Sequence, residues 1–200
     1  MSQNNRVCSA YLSDPGLEYL KVLYVQTIET ALPEIKVVMP PRIGDTRGFF
    51  SEVWNARDFA SVGIDAAFVQ DNHVRNPLKG TLRGLHYQVP PAAQGKLVRV
   101  TRGAIFDVAV NIRRGAPSFG RHAAAVLTAD NWYQLWIPPG CALGYCTLED
   151  DTEVQYKTTE RVCGSRSMRA AMLAAGRPAK PLTASSATAF PSVFQCSVQM

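Results

Sequence analysis

Three side chains within fourteen residues could move protons together: Arg83, His86 and Lys96, in the stretch TLRGLHYQVPPAAQGKLV. An imidazole titrates near neutral pH and can take a proton from carbon. An ammonium can stabilise an oxyanion as its charge develops. A guanidinium offers a planar fork of donors to a phosphate or carboxylate. Tyr156, in DDTEVQYKTT, is read as pointing inward, and a phenol on the wall opposite the imidazole could return the proton. A base and an acid facing each other across one planar carbon, next to a carbonyl, is the geometry an epimerisation requires. Arg47, Glu52, Gln70 and Asn72 are the other candidate pocket groups. Glu52 reads equally well as one half of a salt bridge at a strand edge. A metal centre is not expected. His73, His86 and His122 give no H-x-H or H-x-D spacing, and His86 is followed by Gln88.

The elements that must hold these groups read as short β-strands. Apolar and polar residues alternate with a period of two, and Gly and Pro punctuate the chain. Lys96–Thr101 sets Lys96, Val98 and Val100 on one face. Ala104–Ile112 sets Phe106, Val108 and Val110 opposite Ile105, Asp107 and Ala109, and Arg102-Gly103 between the two predicts a hairpin. Ala142–Leu148 and Thr152–Thr158 predict a second hairpin, with Val154, Tyr156 and Thr158 inward. Ala67–Asn72 predicts a strand with Gln70 and Asn72 on one face. Val25–Met39 predicts one or two edge strands. Gly48–Trp54 alternates so as to put Glu52 between Phe50 and Trp54. Asn55 caps a short helix through Phe59. Within Thr81–Gln88, strict alternation separates Arg83 from His86. Gly84 lies between them, and a bulge there would bring both to one face.

Composition fits this architecture. The chain has 200 residues, 46% hydrophobic, with 14 Gly and 13 Pro, so it can bury a core and needs many turns. A net charge of +5, without a dense basic run interleaved with aromatics, argues against nucleic acid and leaves a soluble basic surface or a small anionic ligand. Five Cys, none in a C-x-x-C pair, predict neither zinc nor a disulfide framework and make a reducing cytoplasm the expectation. No run of about twenty apolar residues occurs, so no membrane association is expected. Residues 1–28 read as an N-terminal extension. There Ser13-Asp14-Pro15 either caps a helix carrying Leu17, Leu20 and Tyr24 or belongs to a mobile extension.

The motifs GDTRGFFSEVWN, QDN, GTLRGLHYQ, QGKLVRVTRGAIFDVAVNIRRGAPSFG, QLWIPPG and DDTEVQYKTT resemble those of the dTDP-4-dehydrorhamnose 3,5-epimerases, over about Glu29 to Thr159. The resemblance implies an all-β, cupin-like jelly roll at 29–160 with short peripheral helices, and a homodimer. It implies a dTDP-sugar partner and a cofactor-free reaction of dTDP-rhamnose synthesis. In that reaction dTDP-4-dehydro-6-deoxy-D-glucose becomes dTDP-4-dehydro-L-rhamnose, the substrate ketone itself acidifying the hydrogens at C3 and C5. It implies His86 as base, Tyr156 as proton donor and Lys96 beside the C4 oxygen. Arg47, Glu52, Gln70, Asn72 and Arg83, with Lys96, would bind the nucleotide sugar.

Two departures stand out. Where the family carries Ala-His-Gly-Phe, this chain has Ala142-Leu143-Gly144-Tyr145. Beyond Glu160 no Asp or Glu occurs, so the carboxylate that the resemblance pairs with the base has no counterpart. Residues 161–200, rich in Ala, Ser, Pro and Arg, read as an out-of-frame segment or an unpacked tail, with one helix expected at Arg166–Ala175. The expectation is an epimerase with impaired turnover. The alternatives are a silent nucleotide-sugar binder, an epimerase of another deoxysugar pathway, or a non-catalytic cupin.

Overall fold

The protein is seen in a computed structural model that describes residues 24–162 and the backbone strand at 166–167. The described chain divides into two compact units, one built from residues 24–26 and 40–65 and the other from 27–39 together with 66–162 and 166–167.

The smaller unit holds a two-stranded ribbon and one helix. Strands at Ile43–Asp45 and Gly48–Phe50 pair antiparallel. A helix at Ala56–Ser61 follows, its first N–H groups taken up by the side chain of Asn55, as the sequence led us to expect. Phe59 is fully buried and meets Trp54 edge-on at 4.9 Å. The extended run expected through Trp54 stops at Phe50, so pleating does not set Glu52 between two aromatics.

The larger unit is a sandwich of two sheets. Its strands, numbered with the ribbon as β3 and β4, are β1 (Gln26–Glu29), β2 (Lys36–Met39), β5 (Gln70–Asn76), β6 (Leu82–Tyr87), β7 (Lys96–Arg102), β8 (Ala104–Asn111), β9 (His122–Thr128), β10 (Gln134–Ile137), β11 (Cys141–Thr147), β12 (Thr152–Thr158) and β13 (Arg166–Ser167). One sheet runs β1-β2-β10-β7-β12-β5 and the other β13-β6-β11-β8-β9. Val98, Val100, Leu135 and Val154 from the first meet Ile105, Ala109, Leu127 and Leu143 from the second in one buried cluster. Burying each of the Val, Leu and Ile side chains among these stabilises the fold by roughly 1.5–3 kcal/mol. This layering is the jelly roll expected from the sequence.

The chain changes sheet at most connections, which corrects both expected hairpins. β7 and β8 are joined through Gly103 but lie in different sheets, and so do β11 and β12. Gly103 takes φ +74°, and a Cβ there would sit 2.5 Å from the Thr152 hydroxyl, so this corner accepts only glycine. Of the two strands within Val25–Met39, β1 lies at the edge of its sheet as expected, and β2 is flanked on both sides. The strand expected at Ala67–Asn72 starts at Gln70 and runs on to Asn76. The N-terminal helix expected up to Tyr24 falls on residues outside the described ones, Tyr24 itself excepted. Of the helix expected at Arg166–Ala175, Arg166–Ser167 form a strand on β6, and the rest lies outside the described residues.

Candidate active site

The inner face of the six-stranded sheet follows from register alone. Tyr156 on β12 lies opposite Val98 on β7 and Asn72 on β5, and Thr158 lies opposite Lys96 and Gln70. Val98 belongs to the core between the sheets. Partners across a ladder share a face, so Lys96, Tyr156, Asn72 and Gln70 all look inward. Gln70 donates to the Asn72 carboxamide oxygen at 2.7 Å, and Asn72 donates to the Tyr156 carbonyl at 3.4 Å. The two amides therefore form a short polar strip beside the phenol. On the outer face, Arg99 hydrogen-bonds Gln155 and stands over Trp132 at 5.8 Å.

The facing wall needs an irregularity. On β6, His86 is opposite Leu143 and Arg83 is opposite Tyr145, so three steps on one strand match two on the other. Leu143 and Tyr145 both belong to the core between the sheets, which sets His86 and Arg83 on the inner face together. Leu85, between them, turns to the reverse face and packs on Val108, Val110 and Ala142. This is the bulge that Gly84 suggested. Gly84 has φ +123°, and a Cβ on it would lie 2.5 Å from the Cα of Gly144.

These inward groups share one electrostatic neighbourhood. Burial lowers the pKa of His86, and the charges of Lys96 and then Arg83 lower it further, so the imidazole is neutral at neutral pH. Burial raises the pKa of Tyr156 against the pull of Arg83, so the phenol keeps its proton. Burial lowers the pKa of Lys96, opposed by Asp107. The states of His86 and Tyr156 suit a base and an acid. Among the described residues, nothing hydrogen-bonds the His86 imidazole, and Leu143 occupies the position across the ladder.

Arg47 and Glu52 belong to the smaller unit. The Arg47 guanidinium and backbone N–H both bind the Asp45 carboxylate, the latter at 2.8 Å, and Glu52 accepts from Asn55 at 2.9 Å. Three inward polar residues were given no role from sequence. Asp107, opposite Tyr145, is wholly buried, and among the described residues neither carboxylate oxygen has a hydrogen-bond partner. Burial pushes it up to about 8, opposed by Lys96 and by the Val108 N–H, which lies near it without reaching hydrogen-bond geometry. Its signal was a lone carboxylate in the apolar strand AIFDVAV. Asn76 lies two strand periods beyond Asn72, where β5 was expected to stop. Tyr145 shares the inward face of β11 with Leu143, at the position where the family motif has Phe.

The dTDP-4-dehydrorhamnose 3,5-epimerase family matches residues 29–171, most of the chain and past Thr159, where the motifs read from sequence end. The chain belongs to this family. It is a cupin-type epimerase, an isomerase of dTDP-rhamnose biosynthesis. It is 50% identical over 135 residues to the dTDP-4-dehydrorhamnose 3,5-epimerase of Shigella flexneri, spanning 67% of this chain and 74% of that one. The epimerase of Bacillus anthracis str. Ames, solved with TDP and PPi bound, superposes with a TM-score of 0.72 at 38% identity, covering 78% of this chain and 92% of the other. The epimerase of Legionella pneumophila Philadelphia 1, solved with dTDP-4-keto-L-rhamnose, gives 0.69 at 42% identity, covering 72% and 78%.

Proposed function

We propose that this chain epimerises dTDP-4-dehydro-6-deoxy-D-glucose at C3 and C5 with its own side chains. Neutral His86 takes the C3 proton. The electron pair left behind forms the C3–C4 double bond, and the C4 carbonyl becomes an enolate oxygen. The Lys96 ammonium stabilises that oxygen. Tyr156 then delivers its phenolic proton to C3 from the other side, the ketone re-forms, and solvent restores both groups. The same sequence at C5 completes the inversion. Gln70, Asn72 and Arg83 would bind the dTDP sugar, a reading supported by the ligands held in solved relatives, TDP with PPi in one and dTDP-4-keto-L-rhamnose in another. The motif resemblance implies a homodimer as the working form.

The observation that carries this reading is the inward register of His86 on one sheet and of Tyr156 and Lys96 on the other. Their charge states support it. The test is deuterium exchange into C3 and C5 of the keto sugar in heavy water. Exchange that His86→Ala abolishes is the expected result. Exchange that survives this substitution would remove the imidazole from the mechanism. Since no described group orients the imidazole, turnover is expected to be slower than in the Shigella flexneri relative. Losing an orienting carboxylate can cost up to about 10⁴-fold in a related base arrangement. Equal turnover would show that His86 needs no such partner.

A further inference from the structure

We infer that Asn76, with Tyr145 beneath it, is a positioning residue that aims Arg83 at the anionic part of the substrate. This rests on the reading that Arg83 binds the nucleotide sugar.

Asn76 is fully buried on the inner face of β5, yet all its polar atoms are used. Its Nδ2 donates to the Thr152 carbonyl at 3.2 Å, and its Oδ1 accepts from Arg83 Nε at 2.7 Å. A carbonyl can only accept and a guanidinium can only donate, so the orientation of the amide is fixed by its partners. The Tyr145 hydroxyl lies 3.4–3.5 Å from both ends of the amide and closes the network from β11. Burial raises the Tyr145 pKa, so that hydroxyl stays protonated.

The consequence falls on Arg83. Its Nε is tied inward, and among the described residues neither Nη has a partner. The residue is exposed. A guanidinium held by its Nε presents its two Nη groups end-on, a paired donor set that matches two oxygens of a phosphate. The diphosphate of the dTDP sugar is the group it would meet. Fixing this arginine before binding reduces the rotamer entropy lost on contact.

The test is a double-mutant cycle on dTDP binding by calorimetry, with Asn76→Ala, Arg83→Ala and both together. Asn76→Ala is expected to weaken binding about tenfold and to raise KM similarly, with kcat within about threefold. In the Arg83→Ala background it is expected to do nothing more. Two full, additive losses would mean that Asn76 acts without Arg83, and would overturn the inference. So would unchanged binding in Asn76→Ala, or a loss confined to thermal stability. Should Asn76→Ala not fold, Tyr145→Phe takes its place, with a two- to threefold loss expected on the order of one weak hydrogen bond; unchanged binding would then overturn the inference. A wild-type chain that binds no dTDP would instead remove the proposed function, and this inference with it.

Discussion

The two walls of the candidate site are built differently. On the six-stranded sheet, Lys96, Tyr156, Asn72 and Gln70 face inward because the pleating around them is regular, the register shift of β12 on β7 lying to one side, between Glu153 and Val154. On the five-stranded sheet, Arg83 and His86 reach the inner face only through the bulge at Gly84. A regular wall distributes its geometry over many ladder bonds, so one substitution changes one side chain. An irregular wall concentrates its geometry at a close backbone crossing, so one substitution there moves every group beyond it.

That contrast can be broken most sharply at the crossing itself. Gly84→Ala should abolish deuterium exchange and lower the melting temperature. The added methyl meets the Gly144 backbone, and overpacking combined with a strained φ costs about 2–6 kcal/mol. Near-normal exchange in this variant would show that the bulge is not what holds the base. On the regular wall, Lys96→Met should leave the fold intact and slow exchange by about 10²–10³-fold, the range for loss of one oxyanion-stabilising group. Tyr156→Phe should separate two readouts: exchange at C3 continues, while the yield of inverted product falls by about 10²-fold or more. Inversion at the wild-type rate would assign the acid elsewhere.

Two smaller effects sharpen the comparison. Asp107 has a folded-state pKa of about 8 against an ordinary value of 3.8. A raised carboxyl pKa means that its favourable contribution is complete below about pH 4 and is lost as pH climbs to 8. Urea midpoints of Asp107→Asn should therefore decline less over that window than those of the wild type, and parallel curves would mean that the carboxyl ionises freely in place. The smallest effect is expected from Arg99→Ala on the outer face, under about 1 kcal/mol and with exchange unchanged within twofold.

Much of this was legible in the residues. Alternation placed Lys96 with Val98 and Val100, and Tyr156 with Val154 and Thr158, and the ladders agree. Gly84 announced the bulge because it is the glycine between a cation, Arg83, and a base, His86, that needed a common face. What period-two patterning does not encode is partnership. It says which way Val154 points, not that β12 lies between β5 and β7 when its neighbour in sequence, β11, lies in the other sheet. The turn residues Arg102-Gly103 look the same whether the chain doubles back or crosses over. Asn76 and Tyr145 escaped because each is ordinary in its own strand; they become a unit only when β5 and β11 are brought face to face.

The pairing order sets a schedule for synthesis. Val38 waits for Gln134, roughly a hundred residues behind it on the ribosome, and Asn72 waits for Tyr156. Little of this sandwich can close as a nascent chain emerges, so folding should begin late and run in the millisecond-to-second range of proteins with distant contacts. Until then the apolar strands stay open to one another and to other chains, a window in which chaperones would decide the yield.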